Sequence, residues 1–142
     1  MFSPDSAPSD SRPIEILLVE DHPYVRKLLR QIIETYEDLR IVGEAANGEE
    51  AVLLAAKLKP SVVVMDIHLP ILGGVPATTL IKLNNPCTTI IGLTAGDPQE
   101  DEKAMTIAGA TAVIDKGKVA DALYQAIIDA VQRVKNPVEG AY

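Results

Sequence analysis

Five positions carry the chemistry that this sequence can do. Glu20 and Asp21 stand together after the apolar run Ile16 to Val19, and Asp66 closes the run Val62 to Met65. Thr94 follows Thr89 to Leu93, and Lys116 comes two residues after Ala112 to Ile114. Three carboxylates brought together repel one another, so such a group persists only beside a cation or with raised proton affinity. Oxygen-only ligands with room left for water suit magnesium better than a softer metal. A metal-bound carboxylate can also attack phosphorus and hold it as an aspartyl-phosphate. A metal and an ammonium then offset charge on the equatorial oxygens, which is most of what a protein supplies to phosphoryl transfer. Lys116 can be that ammonium and Thr94 can donate its hydroxyl to a phosphoryl oxygen. The small Ala95 leaves the approach open.

The chemistry requires elements that bring these positions to one place. Short β-branched runs predict strands over Ile14 to Val19, Arg40 to Glu44, Val62 to Asp66, Thr89 to Leu93 and Ala112 to Ile114. Helical spacing of apolar residues predicts helices over Pro23 to Tyr36, Gly48 to Leu58, Val75 to Leu83, Pro98 to Ala108 and Val119 to Val134. The apolar stripes include Leu28, Ile32 and Leu39 in the first case, and Leu123, Ile127 and Val131 in the last. Pro23 and Pro98 suit first turns, Asn47 and Asp97 suit N-caps, and Gly109 suits a helix stop. Strands alternating with helices predict an α/β fold, a single doubly wound parallel sheet covered on both faces. In such a sheet the ligand site lies beyond the carboxyl ends of the strands. That edge is where Glu20, Asp21, Asp66, Thr94 and Lys116 fall.

Composition narrows the class. The 142 residues are 47% hydrophobic and 23% charged, enough apolar material for one core and short of two. We expect one domain over residues 14–135, a disordered leader over 1–13, and a flexible tail or the start of a linker over 136–142. No apolar run approaches the roughly 18–20 residues needed to cross a bilayer. The Ser-, Pro- and Asp-rich start lacks the pattern of a secretory signal, so a cytoplasmic location is expected. A net charge of −7 argues against holding a nucleic acid by phosphate neutralisation. Cys87, the single cysteine, is expected to pack as a small apolar side chain. His22 and His68 lie at different strand ends and are read as non-ligand side chains, although His68 stands close enough to Asp66 to influence a phosphoryl group there.

Taken singly, each site residue has an ordinary explanation. Asp66 or Asp21 can cap a helix, Lys116 can be a solvated charge, and Thr94 a generic strand residue. Their joint occurrence argues otherwise. The pieces Val19-Glu20-Asp21-His22, Met65-Asp66-Ile67-His68-Leu69-Pro70, Leu93-Thr94-Ala95 and Asp115-Lys116 resemble, in order and spacing, the receiver domains of two-component response regulators. The resemblance covers roughly Ile14 to Val134, and the stretch from Asp38 to Gly48 is most similar to receivers of the NarL/FixJ type. It implies a CheY-like, flavodoxin-like sheet of order 2-1-3-4-5, with Asp66 as phosphoacceptor and Asp21 as the direct magnesium carboxylate. It further implies Glu20 as the metal-orienting acid, the main-chain carbonyl of His68 as a further ligand, and Thr94 and Lys116 as the phosphoryl-contacting pair beside Ala95. The implied partners are a sensor histidine kinase or a phosphotransfer protein, with a homodimer as a further assembly. The implied activity is a phosphoaccepting switch, not a turnover enzyme. It is either a receiver acting alone or the N-terminal receiver of a helix-turn-helix transcriptional regulator.

The sequence also departs from that pattern. Val113 occupies the switch position where an aromatic residue is usual, and Gly117 follows the lysine in place of the frequent proline. Gly73, Gly74 and Pro76 are expected to loosen the loop after Asp66 and to shorten the third helix. Three other functions fit the same alternation: a flavin-binding electron carrier, a phosphatase with an aspartate nucleophile, and a receiver kept only as an interaction module. The first would need a phosphate cradle where the acidic Glu20-Asp21-His22-Pro23 stands. The second carries its nucleophile on the first strand, whereas Asp66 is on the third.

Overall fold

The computed structural model describes residues 12–95 and 98–135. The elements run β1 (Ile14–Val19), α1 (Pro23–Glu34), β2 (Leu39–Ala45), α2 (Gly48–Leu58), β3 (Val62–Asp66) and α3 (Gly74–Asn84). They continue with β4 (Thr89–Thr94), α4 (Pro98–Ala108), β5 (Ala112–Asp115), a 3-10 turn (Lys116–Lys118) and α5 (Val119–Lys135). The strands form one parallel sheet in the order β2-β1-β3-β4-β5. Outside the described residues lie the expected tail, the expected leader apart from Arg12 and Pro13, and the expected Asp97 cap. Among the described residues no helix is long and apolar enough to cross a membrane.

The unbroken apolar runs of the central strands follow from burial on both faces. In β1, Ile16 and Leu18 face a core shared with Leu29 and Ile33 of α1 and Leu123 and Ile127 of α5. Their neighbours Leu17 and Val19 face the opposite core with Ala51 and Ala55 of α2, Ala77 and Ile81 of α3 and Met105 of α4. Residues of β3 divide in the same way, Val62 and Val64 against Val63 and Met65. Because side chains alternate along a strand, one chain segment supplies both layers.

Local signals set the helix ends. Asn47 caps α2 by accepting from the Glu50 N–H at 2.8 Å, and Glu50 reaches back to the Ala46 N–H at 2.8 Å, close to a capping box. Gly109 ends α4 with φ +119°, and its N–H closes onto Met105 O.

Four expectations need correction. The buried stripe of α1 is Leu29 and Ile33, while Leu28 remains 42% exposed and Leu39 opens β2. The doublets Leu28-Leu29 and Ile32-Ile33 give two helical stripes with the same spacing, and only docking onto β1 and α5 chooses between them. α1 is capped by His22, whose Nδ1 accepts from the Val25 N–H at 3.5 Å, and not by Asp21. Cys87 is exposed, in the loop before β4. Finally, α3 is not shortened. Pro76 falls in its first turn, where backbone N–H groups lack intrahelical acceptors in any case. Gly74 is likewise no slack point, since a Cβ there would stand 2.7 Å from both Asp66 O and Ile67 Cα.

Candidate functional site

β1 and β3 are adjacent and parallel, with Val19 opposite Met65, so the residues that follow them meet at one edge. Glu20 and Asp66 are buried there and Asp21 is exposed, and each offers a carboxylate oxygen within 4.8 Å of the others. β5 delivers Lys116 to the same place through the 3-10 turn, which Asp115 caps by accepting from the Gly117 N–H at 2.8 Å. Lys116 Nζ lies 2.8 Å from Glu20 Oε1 and 3.0 Å from Asp66 Oδ2. Backbone donors complete the cradle. The His22 N–H donates to Glu20 Oε2 and the His68 N–H to Asp66 Oδ1, each at 3.1 Å.

Electrostatics make the pocket acceptor-rich. Burial works to lower the pKa of Lys116, but the hydrogen bonds and charges of Glu20 and Asp66 outweigh it and raise the value above the ordinary one. Glu20 Oε1 has Lys116 as an ion-pair partner, yet its approach leaves that deeply buried oxygen without a hydrogen bond of good geometry. A buried carboxylate oxygen in that state is under-satisfied, and a hard cation supplies what it lacks. Three carboxylates against one ammonium also leave a negative excess. The residues present therefore fit magnesium.

Thr94 ends β4, the strand beside β3, and is buried. Its hydroxyl donates to Asp101 Oδ2 at 2.5 Å, in the first turn of α4, and His68 Nε2 meets the same oxygen at 2.9 Å. Burial pushes the Asp101 carboxyl up, but the hydrogen bonds from Thr94 and His68 and the charge of His68 bring it below the usual carboxylate value. Ala95, next to Thr94, is exposed. Val113 sits half-buried in β5, paired with Gly92 and packed against the core of Met65, Ile67 and Met105.

Glu20, Asp21, Asp66 and Lys116 thus form one cluster, with Thr94 and His68 joined through Asp101. Two members have no signal in sequence reasoning. Asp101 is one acid among several in a polar first turn. Arg26 donates from its guanidinium to Glu20 O at 2.6 Å and pairs with Glu44 at 3.3 Å, so it pins the turn after β1 from α1. The i+6 separation of Arg26 from Glu20 marks no recurrent motif.

Residues 16–128 match the response regulator receiver domain family. The chain belongs to that family. This receiver domain is 33% identical over 126 residues to the response regulator GacA of Pseudomonas protegens, covering 87% of the chain and 59% of that relative. It therefore spans about three-fifths of the length of this relative. A LuxR-family response regulator from Aurantimonas superposes with a TM-score of 0.80 at 33% identity, over 84% of this chain and 86% of that one. The receiver domain of a Pseudomonas aeruginosa sensor histidine kinase, solved with a magnesium ion coordinated in its active-site cleft, superposes with a TM-score of 0.76 at 29% identity, over 84% and 98%. The sheet order 2-1-3-4-5 is the one that the receiver resemblance implies.

Proposed function

We propose that this receiver domain accepts a phosphoryl group on Asp66, from a sensor histidine kinase or a phosphotransfer protein, and switches partner binding or self-association in response. The observation that carries this is the buried Asp66 carboxylate with Lys116 Nζ at 3.0 Å and the acids Glu20 and Asp21 beside it. Magnesium would be held by Glu20, Asp21, Asp66 and the main-chain carbonyl of His68. When bound, it offsets charge on the attacking carboxylate and on the phosphoryl oxygens.

The chain's own groups do the rest. One Asp66 oxygen forms the new bond to phosphorus while the bond from phosphorus to the donor breaks. Lys116 holds a phosphoryl oxygen by an ammonium contact that requires no proton movement. Thr94 donates its hydroxyl to another phosphoryl oxygen, and Ala95 leaves the entrance unobstructed. In this proposal Val113 has no ring to turn inward behind Thr94 and is stiff at χ1, so the signal passes through the backbone after Thr94 and through α4. The lower coverage of GacA favours a second reading of the context, in which this receiver is the N-terminal part of a longer transcriptional regulator.

Acetyl phosphate in magnesium buffer, followed by intact mass spectrometry, tests the proposal. One added phosphoryl group is expected, lost in Asp66→Asn. An unmodified wild-type mass would favour an interaction module that is not phosphorylated, and undiminished labelling of Asp66→Asn would move the acceptor elsewhere.

A further inference from the structure

Thr94 has one hydroxyl proton, and that proton is already given to Asp101. Thr94 Oγ1 donates to Asp101 Oδ2 at 2.5 Å, and the same oxygen meets His68 Nε2 at 2.9 Å. An ionised carboxylate only accepts, so His68 must carry its proton on Nε2 and both partners donate. The side chain of Asp101 is 13% exposed, and bonds to a shielded charge are stronger than neutral ones. A hydroxyl proton shared between two oxygens bonds each less strongly than it bonds one, so a second acceptor competes with Asp101 for it. If Thr94 turns to a phosphoryl oxygen on Asp66, it must leave Asp101.

We propose that Asp101 is a latch, a positioning residue that holds Thr94 off the acceptor site until a phosphoryl group competes it away. The inference rests on the assignment of Asp66 as phosphoacceptor and Thr94 as its hydroxyl donor. Two consequences follow from the geometry. The latched arrangement lowers the apparent affinity for the phosphoryl group by the fraction of molecules in which Thr94 is released from Asp101. In addition, the Thr94–Asp101 hydrogen bond, which joins the first turn of α4 to β4, is lost at the moment of phosphorylation. The acceptor site and α4 are thereby coupled through the Thr94 hydroxyl.

A double-mutant cycle read by beryllofluoride binding in magnesium buffer, followed by calorimetry, separates the latch from simple charge effects. Asp101→Ala should bind beryllofluoride about tenfold more tightly than wild type, a change of about 1.4 kcal/mol. Asp101→Asn should show a smaller gain, because its amide oxygen still accepts from Thr94, and it preserves the test if the alanine variant folds poorly. In a Thr94→Ala background the gain should vanish. A gain of equal size in both backgrounds would mean that Asp101 acts only by its negative charge, and no gain at all would also overturn the latch. Beryllofluoride binding that is absent in wild type, or unchanged in Asp66→Asn, would instead sink the phosphoacceptor assignment. Amide exchange of the free protein then still reads the latch. Asp101→Ala and Thr94→Ala should each speed exchange in residues 101–105 several-fold, and silence there refutes the tie.

Discussion

Lys116 Nζ lies 3.0 Å from Asp66 Oδ2, although fifty positions of sequence separate the two residues. With Glu20 Oε1 at 2.8 Å, the ammonium joins two carboxylates that are almost wholly buried, while Lys116 itself keeps 22% of its side-chain exposure. Removing one partner of such a group leaves uncompensated buried charge, which costs about 3–5 kcal/mol when full burial holds and less where solvent reaches. Lys116→Met should therefore unfold at lower denaturant than wild type at pH 7, by about 2 kcal/mol after that discount. Added magnesium should restore part of the loss. A variant as stable as wild type in metal-free buffer would show that the ion pairs contribute nothing net.

The same lysine sets an alkaline limit. Its raised pKa means that the folded state holds the proton more tightly than the unfolded chain. The resulting stabilisation is complete below the ordinary value of 10.5 and is lost as pH rises through the higher folded value. The contribution of Lys116 to the denaturation midpoint should thus stay constant between neutrality and pH 10, and the gap between wild type and Lys116→Met should close only above that. A gap that closes near pH 8 contradicts the assignment.

Magnesium should stabilise the wild-type fold, since a ligand bound only by the native state adds RT ln(1 + [L]/Kd), about 2.7 kcal/mol at a hundredfold excess over Kd. Asp21 is the exposed member of the acidic group, so Asp21→Ala removes a ligand oxygen at little expense to packing. The variant should melt close to wild type without metal and gain little from millimolar magnesium. Equal gains in both proteins would exclude Asp21 as a ligand.

Gly74 is predicted by its neighbours to resist any side chain. A Cβ would lie 2.7 Å from Asp66 O and 2.9 Å from Ile67 O, both backbone atoms that cannot swing aside. Overpacking of this kind costs about 1–3 kcal/mol. Gly74→Ala should show that loss in chemical denaturation and should also slow labelling of Asp66 by acetyl phosphate, because the strained backbone is that of residue 66. A stability change with an unaltered labelling rate would confine the effect to packing.

The two faces of α1 give a direct comparison. Leu29 is 2% exposed in the core with Ile16 and Leu123, whereas its neighbour Leu28 is 42% exposed. Leu29→Ala should cost about 2–5 kcal/mol, the usual range for an emptied core site, and Leu28→Ala well under half of that. Equal losses would mean that α1 is rotated from the position described.

Much of this architecture was legible in the chain because its signals are local. The β-branched runs marked every strand to within a residue, most plainly the central β1, β3 and β4, since a strand buried on both faces needs an unbroken apolar segment. The position of Glu20, Asp21, Asp66, Thr94 and Lys116 at carboxyl ends of those strands placed them at one edge by topology alone. The boundaries of α3 were less legible, because Gly74 and Pro76 disfavour a helix interior but are tolerated in a first turn, and a helix start is visible only once its neighbours are in place.

The sequence by itself determined the alternation of strands and helices, the acidic edge and the resemblance to receivers, because each of these depends on residue type and short-range order. Only the tertiary structure decided which stripe of α1 is buried, that Cys87 faces outward, and that Asp101 and Arg26 reach into the site. Leu28 and Leu29 have the same spacing to their partners, and Asp101 differs in no local way from Glu100 or Glu102. Such choices turn on the rotation of a helix against the sheet. That rotation is set by the summed packing of many side chains from distant segments, and no short window of residues encodes it.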